Sequence, residues 1–201
     1  LKLWYDKPAS IWNEALPLGN GRLGAMVFGD PAVERLQLNE ETIWSGSPNS
    51  NAHDKALEAL PIVRQLVFDG KYAEAQDLAT KDIMSQTNNG MNYQTFGSVY
   101  IAFPGHQNYT NYYRDLDIEN ATTKVSYSVD GVTYTREVLA AFSDQVIAVK
   151  LSANKPGQIT CNVFLNSPFD KTVTSTENNQ IALSGVSSTY EDQKGRIKFQ
   201  G

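Results

Sequence analysis

The chain has 201 residues, a formal net charge of -5, 41% hydrophobic and 19% charged residues, which describes a single globular domain with a real core and excludes a disordered chain. Acidic and basic residues are mixed along the sequence, which argues against nucleic acid or an anionic membrane surface as a partner. No apolar run approaches the roughly 18 residues of a membrane span. A single cysteine, Cys161, and two distant histidines, His53 and His106, offer neither a disulfide nor a metal cluster, so no membrane span and no cofactor is expected.

Residues 1–45 read as short strands separated by turns. The sequence GNGRLG at residues 19–24 fits the glycine spacing of a dinucleotide loop, with Glu40 and Glu41 about twenty residues downstream. That loop needs a buried parallel strand before it and a long helix after it. Pro17 stands where the strand should be central, and only AMVF follows before a Gly-Asp-Pro turn. The stretch is therefore read as a tight loop entering a β-hairpin, with Gly19, Asn20 and Gly21 all able to take positive φ. Arg22 carries the functional potential there, as a planar donor fork for a carboxylate or sugar hydroxyls; the competing reading pairs it with a local acid or lays its stem on Trp12. Next, VERLQLN alternates and pairs with AMVF as a hairpin.

Residues 52–84 carry the helical pattern. Leu57, Leu60, Val63 and Leu66 recur at three-residue spacing with Val67 beside them, Pro61 kinks or restarts the run, and Asp69-Gly70 ends it. A second helix presents Tyr72, Ala75, Leu78, Ala79 and Ile83 on one side. Two such helices bury little by themselves, so the hairpin is expected to pack on something larger.

From residue 93 the pattern is β. Val125, Tyr127 and Val129 share a face, Asp130-Gly131 is a two-residue turn, and Val132, Tyr134 and Val138 resume beyond it. The runs QVIAVKLSA, ITCNVFLNS and NQIALSGV continue the alternation, placing Ile147, Val149 and Leu151 on one face and Ile159, Cys161, Val163 and Leu165 on another. This is a mainly β chain: an antiparallel β-sandwich, supersandwich-like, with an inserted helical hairpin at about residues 53–84. The closing KGRIKFQG reads as a strand under way, as in a domain cut near its carboxy end.

Glu14, Glu40, Glu41, Asp115 and Asp117 are the acidic candidates for a hydrolytic pair, which inverting hydrolysis of a glycoside would need about 6.5–9.5 Å apart. They sit in turn or strand-edge sequence without apolar residues to raise a pKa, so they are read as solvated or capping carboxylates, Asp115 pairing with Arg114 or a neighbour. Trp12 and Trp44 lie beside glycine-bearing loops and suit a domain interface, ordinary core packing or a sugar platform. Tyr109, Tyr112 and Tyr113 form either a glycan-facing patch or a strand-edge cluster. Asn108 and Asn120 fit the N-glycosylation pattern.

Taken in order, WNEALPLGNGRLGAMVFGD, ERLQLNEETIWSGSPNS, ALEALPIVRQLVFDGKYAEAQDLA, YQTFGSVYIAF and the long run from NYYRDLDIEN to NKPGQI resemble the amino-terminal domain of glycoside hydrolase family 95, the inverting exo-acting α-L-fucosidases, some of which prefer α-L-galactosides. The resemblance spans residues 4–199. It implies a longer parent with a helical linker, a catalytic (α/α)6 barrel and a carboxy-terminal β domain, whose acid and water-positioning residues lie in the barrel, so that no catalytic residue is assigned here. Phe96, Ser98 and Val99 depart from the Leu-Gly-Asp or Leu-Gly-Asn pattern usual at that place. Residues 1–201 are then expected to be a domain inactive alone. Its partners are the barrel and, through it, fucosylated glycans; Trp12, Asn20, Arg22, Glu40 and Trp44 face the barrel or its entrance. A periplasmic or extracellular location follows from the same resemblance. A free carbohydrate-binding sandwich and a purely structural module are the alternatives.

Overall fold

The computed structural model describes residues 1–47, 50, 52–85, 91–176, 179–189 and 197–200. In chain order these form β1 (Lys2–Tyr5), a 3-10 turn (Trp12–Glu14), β2 (Leu16–Gly19), β3 (Leu23–Val27), β4 (Val33–Glu40), α1 (Ala56–Phe68), α2 (Tyr72–Asp82), β5 (Gly97–Ala102) and β6 (Thr110–Asp117). There follow β7 (Thr122–Val129), β8 (Val132–Ala141), β9 (Val146–Ala153), β10 (Asn162–Asn166), β11 (Lys171–Thr176), β12 (Gln180–Val186) and β13 (Lys198–Gln200). One sheet has the order β1-β6-β7-β8-β9 and the facing one β10-β5-β4-β3-β2, with a smaller β11-β12-β13 sheet beside them. Every strand pair among these is antiparallel. The fold is thus the expected two-sheet antiparallel arrangement with a helical hairpin inserted between β4 and β5.

The core forms where the inward rows of the two large sheets meet. Leu16, Leu18, Val27 and Leu36 of the second sheet pack with Leu116 and Val138 of the first. On β7 and β8 the period-two alternation buries Val125, Tyr127 and Val129 and, across the Asp130-Gly131 turn, Val132 and Tyr134. Asp130 and Gly131 take φ of 49° and 72°, the left-handed pair that a two-residue hairpin turn with the right strand twist requires. A third cluster, Ile43, Leu183 and Phe199 with Phe96, Leu165 and Phe169 against it, fastens the small sheet to the end of the second one. Phe199 therefore belongs to a paired strand, β13, whereas residues 194–196 and 201 of the KGRIKFQG run lie outside the described residues.

The inward row of β8 also carries Arg136, only 2% exposed, which meets Glu34 of β4 at 3.1 Å in a fully enclosed ion pair. Burial pushes the Glu34 carboxyl above its ordinary value, against the pull of the Arg136 charge. His106 joins the same polar core, its Nδ1 lying 2.9 Å from the Tyr127 hydroxyl, to which Arg136 donates at 2.7 Å. Burial, and then the Arg136 charge, hold the His106 imidazole below its ordinary value. The unfolded chain consequently takes up this proton before the folded one does. Stability is expected to fall as pH drops from about 7 towards about 5.5, the range in which a free imidazole charges. Urea midpoints across that range should show the slope, and His106→Gln should flatten it; an equal slope in the variant would assign it to other groups.

The structure corrects three details. Both helices form, and the first ends as anticipated: Gly70 takes φ of 76° while Gly70 and Lys71 donate to the carbonyls of Val67 and Leu66, a Schellman closure. Helix α1 runs through Pro61 without interruption. Its inward stripe, however, is Ala56, Ala59, Val63 and Leu66, whereas Leu57 is 83% exposed. On α2, Ala75, Leu78, Ala79 and Ile83 turn inward and Tyr72 outward. The helices pack on each other, and among the described residues no strand makes a comparable contact with either, so the small residues Ala59 and Ala75 occupy the close approach. In the glycine-rich loop only Gly21 has positive φ, 93°; Gly19 is a strand residue paired with Gly24. Finally, Asp115 is buried rather than solvated, and the neighbour it pairs with is Lys2 of the adjoining strand at 3.2 Å, not Arg114. Arg114 projects to the other face, where it donates to the carbonyls of Lys7 and Glu14 at 2.8 Å each.

Candidate functional site

The loop between β2 and β3 is built around Asn20. Its Oδ1 accepts from the backbone of Arg22 at 3.1 Å and Leu23 at 2.7 Å, which folds the turn, while its Nδ2 donates to the Ala141 carbonyl at 2.9 Å. Ala141 ends β8 in the facing sheet, so one buried amide both shapes the loop and ties the two sheets together at this end of the sandwich.

The turn places Arg22 across the hairpin from the end of β4. Its Nε donates to Glu40 Oε1 at 3.0 Å, and its carbonyl accepts from the Glu41 backbone at 3.1 Å. Glu40 Oε2 accepts from the Thr42 backbone at 2.9 Å and hydroxyl at 2.6 Å. Burial alone would push the Glu40 carboxyl up, but the bonds from Thr42 and Arg22 outweigh it and hold it below its ordinary value. The Arg22 side chain is 55% exposed, and its Nη groups have no bond to a described residue.

Beside this pair the segment after β4 turns back under residue 93. Trp44 bridges to Tyr93, their rings meet edge-on with centroids 5.2 Å apart, and each is anchored by its polar atom. Trp44 Nε1 donates to the Glu41 carbonyl at 3.0 Å and the Tyr93 hydroxyl to the Glu40 carbonyl at 3.1 Å. Both rings remain over 40% exposed. Asn20, Arg22, Glu40 and Trp44 thus come together at one end of the second sheet, as an outward aromatic pair next to a half-exposed guanidinium. Tyr93 completes the group and was missed in the sequence reading, although it opens the YQTFGSVY run.

Trp12 is not part of this cluster. It lies in the 3-10 turn that precedes β2, whereas Asn20 and Arg22 follow the end of that strand, so the four residues of β2, about 13 Å at the usual rise, separate them. Trp12 is 54% exposed, and neither tryptophan is a core residue. Of the tyrosines, Tyr109 and Tyr112 pack against the inner cluster of β7 and β8, while Tyr113 lies on the outer face near Trp4, with ring centroids 6.4 Å apart.

Among the acidic candidates, Glu14, Glu40, Asp115 and Asp117 have their carboxylates engaged in local hydrogen bonds or ion pairs. Glu14 Oε2 accepts from the Ser10 backbone and hydroxyl, which lowers its pKa, and Asp117 is likewise lowered by bonds from Asn120. Carboxyls held ionised by donors are in the wrong state to protonate a leaving group. The one raised carboxyl among the described residues, Glu34, is enclosed with Arg136. The arrangement at Arg22, Glu40, Trp44 and Tyr93 offers aromatic surface and hydrogen-bond donors; it suits recognition rather than proton transfer.

Residues 3–201 match the family described as Glycosyl hydrolase family 65, N-terminal domain. The chain is 42% identical over 189 residues to Alpha-L-fucosidase 2 of Arabidopsis thaliana, an alignment that covers 92% of this chain and 22% of that protein. It is 31% identical over 161 residues to Probable alpha-fucosidase A of Aspergillus oryzae, covering 75% and 21%. Against Probable alpha-fucosidase A of Aspergillus niger the identity is 28% over 162 residues, covering 76% and 20%. The chain spans about a fifth of the length of these curated relatives.

Proposed function

The chain belongs to the family of glycosyl hydrolase family 65 N-terminal domains and is homologous to alpha-L-fucosidases, and from that premise we propose that it is the non-catalytic amino-terminal domain of an inverting, exo-acting α-L-fucosidase-like enzyme of family 95. The observation that carries this reading is the 42% identity over 92% of the chain to a fucosidase of which the alignment covers only 22%. The parent's hydrolytic residues then lie in a catalytic barrel outside these 201 residues. The role of this domain is to support that barrel, in a periplasmic or extracellular enzyme acting on fucosylated glycans.

The surface that meets the barrel is the Arg22, Glu40, Trp44 and Tyr93 cluster. Exposed aromatic rings beside an arginine are the residue types on which interfaces concentrate their binding energy. Here they are held rigid by hydrogen bonds to backbone, so little ordering cost remains for association. Trp12, at the far end of β2, contacts the barrel only where the interface runs the length of that strand.

Hydrogen exchange tests this placement. Segments 20–23, 40–46 and 91–95 should exchange at least about tenfold more slowly in the longer protein than in the 201-residue chain. Protection elsewhere with these segments unchanged would rule out this surface as the interface.

A further inference from the structure

A second site, independent of the cluster above, is built on the outer face of the β10-β5-β4-β3-β2 sheet. Leu36 and Leu38 of β4 and Val99 of β5 turn into the core, so the residues between them, Arg35, Gln37, Ser98 and Tyr100, turn outward. The strand register aligns them in two cross-strand rows: Phe164, Tyr100 and Arg35 in one, Asn166, Ser98 and Gln37 in the next. All of these except Phe164 line a cleft of about 330 Å³, closed at one side by the segment after β10. That volume lies at the lower end of the range for small-ligand pockets, about 300–1,000 Å³, and takes a single sugar ring.

The chemistry of the cleft is specific. Arg35 Nε donates to the Ser98 hydroxyl at 3.3 Å and an Nη to Gln37 Oε1 at 3.2 Å, while the guanidinium lies 4.8 Å from the Phe28 ring centroid. These contacts fix the fork in place but leave its charge uncompensated. Arg35 takes part in none of the ion pairs among the described residues, its sequence neighbour Glu34 having turned inward to Arg136. Among the described residues no acidic one lines the cleft, in a chain whose net charge is -5. Gln37 has its carbonyl engaged by Arg35, and Asn166 has its carbonyl engaged by the Ser167 backbone at 3.0 Å, so both amides present their NH₂ groups. Tyr100 provides an apolar face, its ring stacked at 5.0 Å and 7° on Phe164 just outside the cleft.

A fixed cation, two amide donors and an aromatic face together match a ring that carries one carboxylate, several hydroxyl oxygens and an apolar C–H side. We propose that this cleft binds an acidic sugar, a uronic acid unit, with its carboxylate on Arg35, its hydroxyls on Gln37 and Asn166, and its C–H face on Tyr100. A neutral sugar would leave the Arg35 charge unmatched, and a bare inorganic anion would not use the aromatic face.

The test is titration of the isotope-labelled 201-residue chain, followed by backbone NMR. The probes are the methyl glycosides of galacturonic and glucuronic acid, methyl galactoside and methyl glucoside as their neutral counterparts, and sodium acetate. One or both uronides should produce saturable shifts at Gln37, Ser98, Tyr100 and Asn166, with neutral counterparts and acetate at least about tenfold weaker. Arg35→Gln and Asn166→Asp should each abolish the shifts. Asn166 is an exposed residue whose replacement keeps the oxygen that accepts from Ser167, so Asn166→Asp decides the matter if Arg35→Gln proves unfolded. Equal binding of neutral sugars overturns the anionic assignment, and equal binding of acetate overturns the sugar. Absence of shifts with either uronide, or undiminished binding in Asn166→Asp, overturns the site.

Discussion

Replacing Arg136 with Met is expected to lower the unfolding free energy by about 3–5 kcal/mol, measured by urea denaturation near neutral pH. The side chain is fully enclosed and satisfies four groups. Its Nη1 donates to the Asp30 carbonyl at 2.6 Å and to Glu34 Oε2 at 3.1 Å, and its Nη2 donates to the Pro31 carbonyl and to the Tyr127 hydroxyl at 2.7 Å. It also lies 4.2 Å from the Phe103 ring centroid. Met restores the apolar volume but leaves Glu34, 1% exposed, beside an Asp30 carbonyl without its donor and a Pro31 carbonyl left with the Tyr127 hydroxyl at 3.4 Å. Glu34 retains only the backbone donors of Gly29 at 2.7 Å and Arg35 at 3.1 Å. A carboxyl whose folded pKa is raised loses stability as pH climbs above its unfolded value, because the unfolded chain ionises first. Parent and variant share that loss at first, so the deficit should widen only above the pH at which the Arg136-paired Glu34 of the parent ionises, where the parent stops losing stability and the variant does not. The double replacement Glu34→Leu with Arg136→Met removes the stranded charge and should recover a large part of the loss. A deficit under about 1 kcal/mol in the single variant would mean that the pair is not enclosed as described.

Gly97→Val is expected to cost at least about 3 kcal/mol, from two effects that add. Gly97 opens β5 with φ of 151°, a conformation that a β-branched residue adopts only under strain. A side-chain Cβ there would also meet the Asn166 carbonyl oxygen and lie 3.3 Å from Ser167 Cα, backbone that cannot step aside without breaking the β5–β10 pairing. The thermal midpoint should fall sharply, and amide exchange should quicken first in β10, an edge strand of its sheet. Gly70→Ala is the contrasting case: φ is 76° but nothing lies within 4 Å of the added carbon, so only the backbone term applies. Similar losses for the two variants would remove the steric half of the explanation.

The sheets could be read from the residues because alternation and burial agree along β7 and β8, and because Asp130-Gly131 marks the turn by its own backbone chemistry. Helix existence was equally legible, but the inward face was not. Large apolar residues such as Leu57 stand outward while alanines make the close contact, and hydrophobicity does not distinguish a small contact residue from a bystander. Arg136 and Glu34 sat at inward positions of their strands, yet their charge reads as outward. What reverses that reading is a partner 102 residues away, a relation that spacing along the chain cannot express. The Arg22–Glu40 pair, 18 residues apart across one hairpin turn, is the opposite case: the pairing of Arg22 with a local acid was one of the readings its place in the loop allowed. Trp12 was grouped with them by proximity in sequence, and the extended strand β2 carries it to the other end.

The central claim is that these residues support catalysis without performing it. The direct measurement is hydrolysis of an aryl α-L-fucoside by the 201-residue chain and by the longer protein, at equal molar concentration. Steady release is expected from the longer protein and none above the buffer blank from the chain alone. Release by the chain alone at a comparable rate would contradict the claim.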